Sequence, residues 1–240
     1  MATDAVRDGN RAAWESGRYE AWVLALGTPA QEAARLVADP KHKLRRLLPH
    51  LGDVSGLRIC NVQGSQGRVA VALALLGASA TVLDFADENR RYALELAAAA
   101  GVAIDYRVGD VMEAAGLAPF DAIVMELGIL HYHQDLKKFF AVMAGLCKPG
   151  ARLLLNEFHP VQRKLFGGSR DYFHDQLVVG DVPDPTLQGL SLGQCTLRFW
   201  TLGEIVSAVI AAGFQIRKLE EHPDWTDPKI PGTFTLLAQC

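Results

Sequence analysis

The sequence has few cysteines, no surplus of basic residues and no long hydrophobic run. Its four cysteines stand far apart, with no pair at Cys-x-x-Cys spacing: Cys60, Cys147, Cys195 and Cys240. This pattern excludes a disulfide framework or a zinc ribbon and is typical of a reduced cytosolic protein. The formal net charge is −3 and the lysines and arginines are scattered. Proteins that bind nucleic acid usually have an excess of basic residues or a basic patch on one face, so we expect no nucleic-acid partner.

A membrane span is also excluded by length. The longest uncharged apolar stretch runs over the fifteen residues from Val69 to Leu83, fewer than the roughly 18–20 that cross a bilayer. The chain turns polar at once at Asp4, so no signal peptide is expected. With 240 residues, half of them hydrophobic, the sequence predicts one globular domain that carries an elaboration. We predict a cytoplasmic location and no membrane partner.

Short apolar runs alternate with helical patterns from residue 57 onward. Five runs are typical of buried strands, namely 57–62, 80–83, 104–108, 122–125 and 152–156. Between them, stretches rich in Ala, Leu and charged residues predict helices over 68–76, 88–100 and 136–147. This alternation indicates βαβ units with parallel strands that are buried on both faces.

The flanking regions follow other patterns. Residues 1–50 are helical in pattern and predict an N-terminal lid, while residues 51–240 form the main domain. Within it, the glycine- and proline-rich residues 160–200 predict an inserted cap. A helix over 201–212 with Thr201 as N-cap follows, and two strands near the C-terminus, joined by a short proline-rich link, predict an antiparallel pair.

Polar and small residues stand at three successive strand ends. Gly64, Ser65 and Gly67 follow the first strand and precede a helix, where free N–H groups can face a ligand. Asp84 ends the second strand, twenty residues after Gly64, at the place of an acceptor for ribose hydroxyls. Its alternative role is to cap the next helix, for which Asp87 is better placed.

The third strand leads into Asp110, followed by Val111. An aspartate at this edge of the sheet faces the same crevice as Gly64 and Asp84 and could accept from an adenine amino group. A turn or cap role for Asp110 is an equal alternative on sequence alone. The three strand ends together indicate a nucleoside-containing ligand more strongly than any one of them.

With these motifs the chain resembles the class I S-adenosylmethionine-dependent methyltransferases over about residues 57–157 and 201–240. The resemblance implies a Rossmann-like, seven-stranded, mostly parallel sheet with an antiparallel last strand, and S-adenosylmethionine as cofactor. It places the methionine part of the cofactor on Gly64, Ser65 and Gly67. It places the ribose on Asp84, and the adenine beside Phe85, Asp110 and Val111. Glu126, in the segment Glu126-Leu127-Gly128 after the fourth strand, would lie near the sulfonium and the amine.

The chain departs from the family pattern in the first strand and its loop. Asn61 replaces the usual acidic residue, and Gln63 and Ser65 replace glycines. Gln63 requires a loop path that avoids backbone strain. These departures keep a noncatalytic cofactor-binding relative as an alternative. An NAD(P)-dependent oxidoreductase is a weaker alternative, because the sequence lacks the full G-x-G-x-x-G motif and the Tyr-x-x-x-Lys dyad typical of such enzymes.

Histidines on the segments after the fourth and fifth strands are candidates for the acceptor site. His131, His133 and His159 could act as general base or orient a small-molecule acceptor. Trp14, Tyr19 and Trp22 predict an aromatic lid over the sulfonium. The alternative is that they anchor the N-terminal helix to the domain, which is favoured for Trp22. No metal is expected. The acceptor atom (N, O or C) and the oligomeric state, a homodimer included, stay open.

Overall fold

The structure is a computed structural model that describes residues 2–114, 116–117, 119–166, 170–182, 187 and 193–240. Its strands are β1 Arg58–Val62, β2 Ser79–Asp84, β3 Asp105–Val108, β4 Phe120–Glu126, β5 Cys147–Phe158, β6 Val178–Asp181, β7 Gln194–Leu197, β8 Gln215–Pro223 and β9 Pro231–Gln239. Seven of them form one sheet in the order β3-β2-β1-β4-β5-β9-β8, and β6 and β7 form a separate ribbon.

The sheet confirms the fold predicted from the sequence. Strands β1 to β5 pair in parallel, while β9 runs antiparallel to both of its neighbours, β5 and β8. The strand order reverses between β1 and β4, because the chain winds outward in one direction from β1 and in the other from β4. Such a switch point leaves a crevice outside the carboxyl ends of the strands.

Nine α-helices lie among the described residues. They are α1 Ala2–Trp14, α2 Arg18–Leu26, α3 Pro29–Ala38, α4 Pro40–Lys43, α5 Leu48–Leu51, α6 Arg68–Leu75, α7 Asp87–Ala99, α8 Leu136–Gly145 and α9 Leu202–Ala211. Thr201 caps α9 as predicted, in a reciprocal capping box with Glu204. The expectation for Asp87 is wrong. It is the first helical residue of α7, and the N-cap is Ala86, without a side-chain cap.

The alternation of side chains along the strands divides the core into two layers. Ile59 and Val124 face the layer that holds α3, α6 and α7, whereas Cys60, Ile123 and Met125 face the layer of α8 and α9. Successive residues of a strand point to opposite faces, so continuously apolar strands supply both layers at once.

The N-terminal helices and the insertion touch each other. The Asn10 side chain donates to the Thr196 carbonyl (3.0 Å) and accepts from the Thr196 N–H (2.7 Å), which ties α1 to β7. Several glycines and prolines of the predicted cap lie outside the described residues, and its described part includes the ribbon of β6 and β7. The functions of lid and cap stay predictions.

Candidate functional site

A cleft opens at the carboxyl ends of β1, β2, β4 and β5, beside the switch point. Counted out to its open mouth, its empty space is about 1020 Å³. Seven of the residues proposed from the sequence line it, namely Trp14, Gly64, Ser65, Asp84, Phe85, Glu126 and His131. Its position is the one at which open α/β sheets bind their ligands.

The loop after β1 has a strained backbone. Gln63 and Ser65 adopt φ angles of 47° and 46°, the left-handed region that glycine occupies at low cost. The expectation that Gln63 would take a path free of strain is therefore wrong. Two hydrogen bonds hold it: its N–H donates to the Leu83 carbonyl (2.7 Å), and its Oε1 lies 2.7 Å from His133 Nε2.

The two glycines of this loop serve packing. A Cβ on Gly64 would lie 2.5 Å from Asn61 Oδ1, and one on Gly67 would lie 2.6 Å from the Ala93 Cβ. Gly64 lets the loop fold onto the end of β1, and Gly67, which lies outside the cleft lining, lets it pack against α7. Asn61 Oδ1 is buried in the cleft wall, and no group among the described residues donates to it.

Asp84 organises the end of β2. Its Oδ2 accepts from the Ser65 N–H (3.0 Å), and its Oδ1 accepts from the Ala86 N–H (3.0 Å) and the Asn89 side chain (3.3 Å). Burial raises the pKa of this carboxyl, and hydrogen bonds from the Ala86, Ser65 and Phe85 N–H groups and the Asn89 side chain oppose the rise. Asp84 thus anchors the loop after β1 and lies in the lining of the cleft.

An ion pair crosses the cleft between the N-terminal helices and β4. The Lys43 ammonium contacts the Glu126 carboxylate, and both side chains line the cleft. Lys43 ends α4, so the segment predicted as a lid contributes a charge to the cleft. No sequence motif points to Lys43, because its partner lies 83 positions away in the chain.

Glu157, also missed from the sequence, fixes the backbone at the far side of the cleft. Its buried carboxylate accepts from the N–H groups of Gly128 (2.7 Å), Ile129 (2.7 Å), Leu130 (3.1 Å) and its own neighbour Phe158 (2.7 Å). Successive backbone N–H groups form an anion-binding nest in this way. The loop after β4 is therefore held onto the end of β5.

His131 is the candidate histidine that faces the cleft. Only 5% of it is exposed, and its Nε2 is buried without a hydrogen-bond partner among the described residues. Burial, with Arg163 and His133 adding to it, holds the pKa of His131 well below its ordinary value. The ring is thus neutral at pH 7, and the tautomer with hydrogen on Nδ1 offers Nε2 as an acceptor.

The other two histidines lie outside the cleft lining. His133 stacks on Phe139 with ring centroids 4.0 Å apart, and burial lowers its pKa to about 3. His159 accepts from the Val161 N–H at Nδ1 (3.1 Å), and its Nε2 lies 2.8 Å from Glu221 Oε1. Burial lowers the pKa of His159, and Glu221 opposes this shift. Both rings have protein partners that hold them in place.

The three N-terminal aromatic residues have different surroundings. Trp14 lines the cleft and packs edge-on against Tyr132, with centroids 6.2 Å apart. Tyr19 lies outside the lining, where its hydroxyl donates to Glu95 (2.5 Å). Trp22 is fully buried and donates to Asn89 Oδ1 (2.8 Å), as expected of an anchor.

Asp110 and Val111 also lie outside the cleft lining. Asp110 Oδ1 accepts from the Met112 N–H (2.8 Å) and so caps a short 3-10 turn, the alternative role that the sequence left open. Val111 is buried in the layer of α8 and α9. In this structure neither side chain takes part in the cleft wall, so an adenine contact by either residue stays a prediction.

An exposed tryptophan completes the mouth of the cleft. Trp225 lies in the turn between β8 and β9, is 64% exposed, and meets the Phe158 ring nearly at a right angle (81°) with centroids 6.3 Å apart. No sequence motif points to Trp225, since a tryptophan in a polar turn belongs to no recurring pattern. Among the described residues, no cluster of His, Cys, Asp and Glu could hold a metal, and no helix is long and apolar enough to cross a membrane.

Comparisons with known proteins agree with this geometry. A family profile described as "Methyltransferase domain" matches residues 61–155. The ubiquinone biosynthesis O-methyltransferase of Xanthomonas euvesicatoria is 31% identical over 106 residues, 43% of this chain and 44% of that protein. The enzyme of the same name from Methylocella silvestris is 35% identical over 98 residues, 40% of this chain and 38% of that protein. The chain thus matches less than half the length of these curated relatives.

Solved structures share the fold over most of the chain. A putative S-adenosylmethionine-dependent methyltransferase from Listeria monocytogenes has a TM-score of 0.65 at 15% identity, over 84% of this chain and 98% of that one. Magnesium protoporphyrin IX methyltransferase from Synechocystis PCC 6803 with bound SAH has a TM-score of 0.63 at 17% identity, over 100% and 99%. Residues 61–155 thus match a methyltransferase-domain profile, and the chain shares the fold of the solved methyltransferase structures.

Proposed function

We propose that the protein transfers a methyl group from S-adenosylmethionine to a small-molecule acceptor. The observation that carries the proposal is the cleft at the switch point, which gathers the loop after β1, Asp84 and Glu126 around one space. The net charge of −3 and the dispersed lysines and arginines support a small acceptor rather than nucleic acid. On the same grounds, together with the isolated cysteines, we propose a cytoplasmic location.

The residues of the cleft fit this cofactor. Asp84 would receive the ribose hydroxyls beside the three donors it already holds, and the buried Asn61 Oδ1 would gain the donor that it lacks. Lys43 and Glu126 would exchange their mutual contact for the carboxylate and the ammonium of the methionine part. Bound there, the cofactor supplies an electrophilic methyl group on a sulfonium.

The chain's own contribution is alignment and the exclusion of water. The loop after β4 is fixed by Glu157, and it presents Gly128 and His131 to the cleft. Trp14 from α1 covers the same space, which supports residues 1–50 as a lid and 160–200 as a cap joined to it through Asn10. The O-methyltransferase names of the curated relatives support oxygen as the methylated atom.

Titration calorimetry with S-adenosylhomocysteine, S-adenosylmethionine and NADPH tests the proposal. We expect both adenosyl compounds to bind and NADPH not to bind. Binding of NADPH alone would contradict the proposal in favour of an oxidoreductase. Binding of the adenosyl compounds without methyl transfer to any member of a broad acceptor panel would favour a noncatalytic relative, an alternative raised by Asn61 and Gln63.

A substitution at Asp84 locates the ribose. We expect Asp84→Ala to weaken S-adenosylhomocysteine binding by about 1 kcal/mol or more, roughly fivefold in Kd, since charge-assisted hydrogen bonds are lost. Asp105→Ala, at the exposed start of β3, is the matched control and should leave Kd unchanged. Equal affinity of the Asp84→Ala variant and the wild type would place the ribose elsewhere.

A further inference from the structure

Asn89, in the first turn of α7, links a residue of the cleft wall to the predicted lid. Its side chain is 1% exposed and lies between Asp84, which lines the cleft, and Trp22 of α2. Asn89 Oδ1 accepts from Trp22 Nε1 (2.8 Å), and Asn89 Nδ2 donates to Asp84 Oδ1 (3.3 Å). Because an indole N–H can only donate, it fixes the amide with its NH2 group towards the carboxylate. Asn89 therefore holds both neighbours at once.

The contacts continue from Trp22 back into the cleft wall. The rings of Trp22 and Trp14 stack with their centroids 6.4 Å apart and their planes at 28°, a geometry that stabilises aromatic pairs beyond the area they bury. Trp14 is the last residue of α1 and lines the cleft, whereas Trp22 is fully buried and lies outside the lining. Two residues of the cleft wall, Asp84 and Trp14, thus lie at the two ends of one buried path through Asn89 and Trp22.

The backbone around this path ties the same two segments together. The N-cap residue of α2 makes no side-chain cap, and the Glu88 carboxylate of α7 accepts instead from the N–H groups of Arg18 and Tyr19. In the other direction, Glu15 Oε1 accepts from the N–H of Asp87 (3.1 Å), the first residue of α7. A carboxylate is favourable at a helix N-terminus, because the N–H groups there have no partner within the helix. The junction of α1 and α2 is therefore fastened to the start of α7.

The members of the path are buried, which makes its hydrogen bonds costly to break. Asp84 is 6% exposed and Trp22 is fully buried. Without the Asn89 amide, the indole N–H of Trp22 would lose its acceptor. Asp84 would keep backbone donors, Ser65 and Ala86 among them, but would lose its bond to the side chain that holds the lid. Since a buried polar group without a partner costs the full free energy of desolvation, the path favours one joint arrangement of the lid and the Asp84 carboxylate.

We propose that Asn89 is a positioning residue that couples the lid to the cofactor. It orients Asp84 for the ribose, and through Trp22 it holds Trp14 over the cleft. This inference rests on the proposed function and deepens it, because it names the contacts through which occupation of the ribose position acts on residues 1–50. Coupling between two sites is reciprocal. The ordered lid therefore strengthens cofactor binding, and the bound cofactor orders the lid by the same free energy.

Calorimetric titration of S-adenosylhomocysteine into single and double variants tests the path. Asn89→Ala should raise Kd about threefold to tenfold, although Asn89 lies outside the cleft lining. Trp22→Phe keeps a ring against Trp14 and removes the donor, and it should raise Kd about twofold to fivefold. Residues that act through one another are not additive. Asn89→Ala should therefore change Kd less than about twofold in an Asp84→Ala background, and Trp22→Phe should add nothing to Asn89→Ala.

Tyr92→Phe is the matched control. The Tyr92 hydroxyl of α7 donates to the Gly27 carbonyl at the end of α2 (2.9 Å), so it joins the same two helices without a contact to Asp84. This variant should lose stability in urea denaturation and keep the wild-type Kd. An equal rise of Kd in Tyr92→Phe and Asn89→Ala would mean that any loosening of the lid suffices, and it would overturn the role of Asn89.

Hydrogen exchange of the α2 backbone amides measures the reciprocal effect on the lid. Saturating S-adenosylhomocysteine should slow this exchange about threefold or more in the wild type and leave it nearly unchanged in Asn89→Ala. Equal slowing in both proteins, or a wild-type Kd in Asn89→Ala, overturns the proposal. If Asn89→Ala does not fold, Trp22→Phe decides in its place by the same two measurements. Failure of S-adenosylhomocysteine to bind the wild type is a separate result and counts against the proposed function.

Discussion

The two ends of the cleft are built in different ways. At the near end, the loop after β1 and Asp84 come from adjacent strands, and the backbone there is held in the left-handed region at Gln63 and Ser65. At the far end, the loop after β4 is held by Glu157, and its walls come from β5 and from the turn before β9. Both ends hold a non-glycine residue in the left-handed region, since Leu127 after β4 has a φ of 53°. The ends differ in the segments of the chain that build them.

This difference indicates which part of the cleft can vary independently. At the near end, Ser65 and Asp84 are 19 positions apart in the chain, and Gln63 also contacts His133, 70 positions away. Contacts at the far end involve three separate segments, namely the loop after β4, the end of β5 and the turn before β9. Glu157 of β5 links the first two, because its carboxylate accepts from backbone N–H groups of the loop after β4. We therefore expect substitutions in the walls of the far end to affect the predicted acceptor site more than the proposed cofactor site, except at His133, which contacts Gln63.

The largest effect is expected from Glu157→Ala, which tests whether the far end depends on one carboxylate. The substitution leaves the buried N–H groups of Gly128, Ile129 and Leu130 without their acceptor. We expect the free energy of unfolding to fall by about 3 kcal/mol or more, because each orphaned group costs about 1–3 kcal/mol. Urea denaturation measures this. The exposed Glu20→Ala is the control, and an equal small loss in both variants would show that the nest has other support.

Acid should destabilise the fold through His133, whose ring also contacts Gln63 of the near end. Burial holds the pKa of His133 at about 3 in the folded state, against an ordinary value of 6.5, so its contribution to stability is present above pH 6.5 and is lost as the pH falls towards 3. The titration of His133 alone lowers the free energy of unfolding by up to about 1.4 kcal/mol for each pH unit of acidification in this range. The pH dependence contributed by Asp84 is opposite. Because its pKa is raised in the folded state, its contribution to the free energy of unfolding is most favourable at low pH.

His133→Gln separates these contributions. Urea denaturation between pH 7 and pH 4 should give a shallower loss of stability for this variant than for the wild type, although the variant starts from a lower stability because the ring contact with Phe139 is lost. His42→Gln, at an exposed position, is the control for removing a histidine. Parallel pH profiles of the wild type and the His133→Gln variant would mean that His133 does not stay neutral in the folded protein.

A smaller effect is expected from Lys43→Met, which tests the charge that the lid contributes to the near end. The variant should bind S-adenosylhomocysteine about threefold to tenfold more weakly, because one charge-assisted hydrogen bond is lost. It should bind methylthioadenosine, which lacks the amino-acid group, as the wild type does. Calorimetry measures the Kd of each compound for the variant and for the wild type. Equal losses of affinity for both compounds would show that Lys43 does not contact the methionine part.

The smallest effect is expected from Ser65→Gly, which relieves strain at the near end. Ser65 has a φ of 46°, and its buried hydroxyl has no partner among the described residues. We expect the unfolding free energy to rise by about 0.5–1 kcal/mol. Gln63→Gly is the informative comparison, because it relieves the same strain but removes the contact with His133. Its stability should stay close to that of the wild type, and a larger gain than in Ser65→Gly would mean that this contact contributes little.

The sequence predicted the sheet and the near end of the cleft because their signals are local. Strand-like runs, small residues before a helix and an aspartate at the next strand end lie within about thirty residues of one another, and the geometry of parallel strands brings them together. Lys43, Glu157 and Trp225 could not be found in this way. Each acts through a contact that depends on how distant segments pack, and none stands in a recurring pattern.

The contact between Asn10 and Thr196 has a further consequence for the ribbon of β6 and β7. The Asn10 side-chain amide forms hydrogen bonds with both the N–H and the carbonyl of Thr196. On an open strand edge these two groups would be available to pair with another chain. Unpaired edges of this kind are templates for aggregation. By imitating one peptide group of a third strand, Asn10 closes the outer edge of β7 at this residue, so α1 also shields the ribbon from self-association.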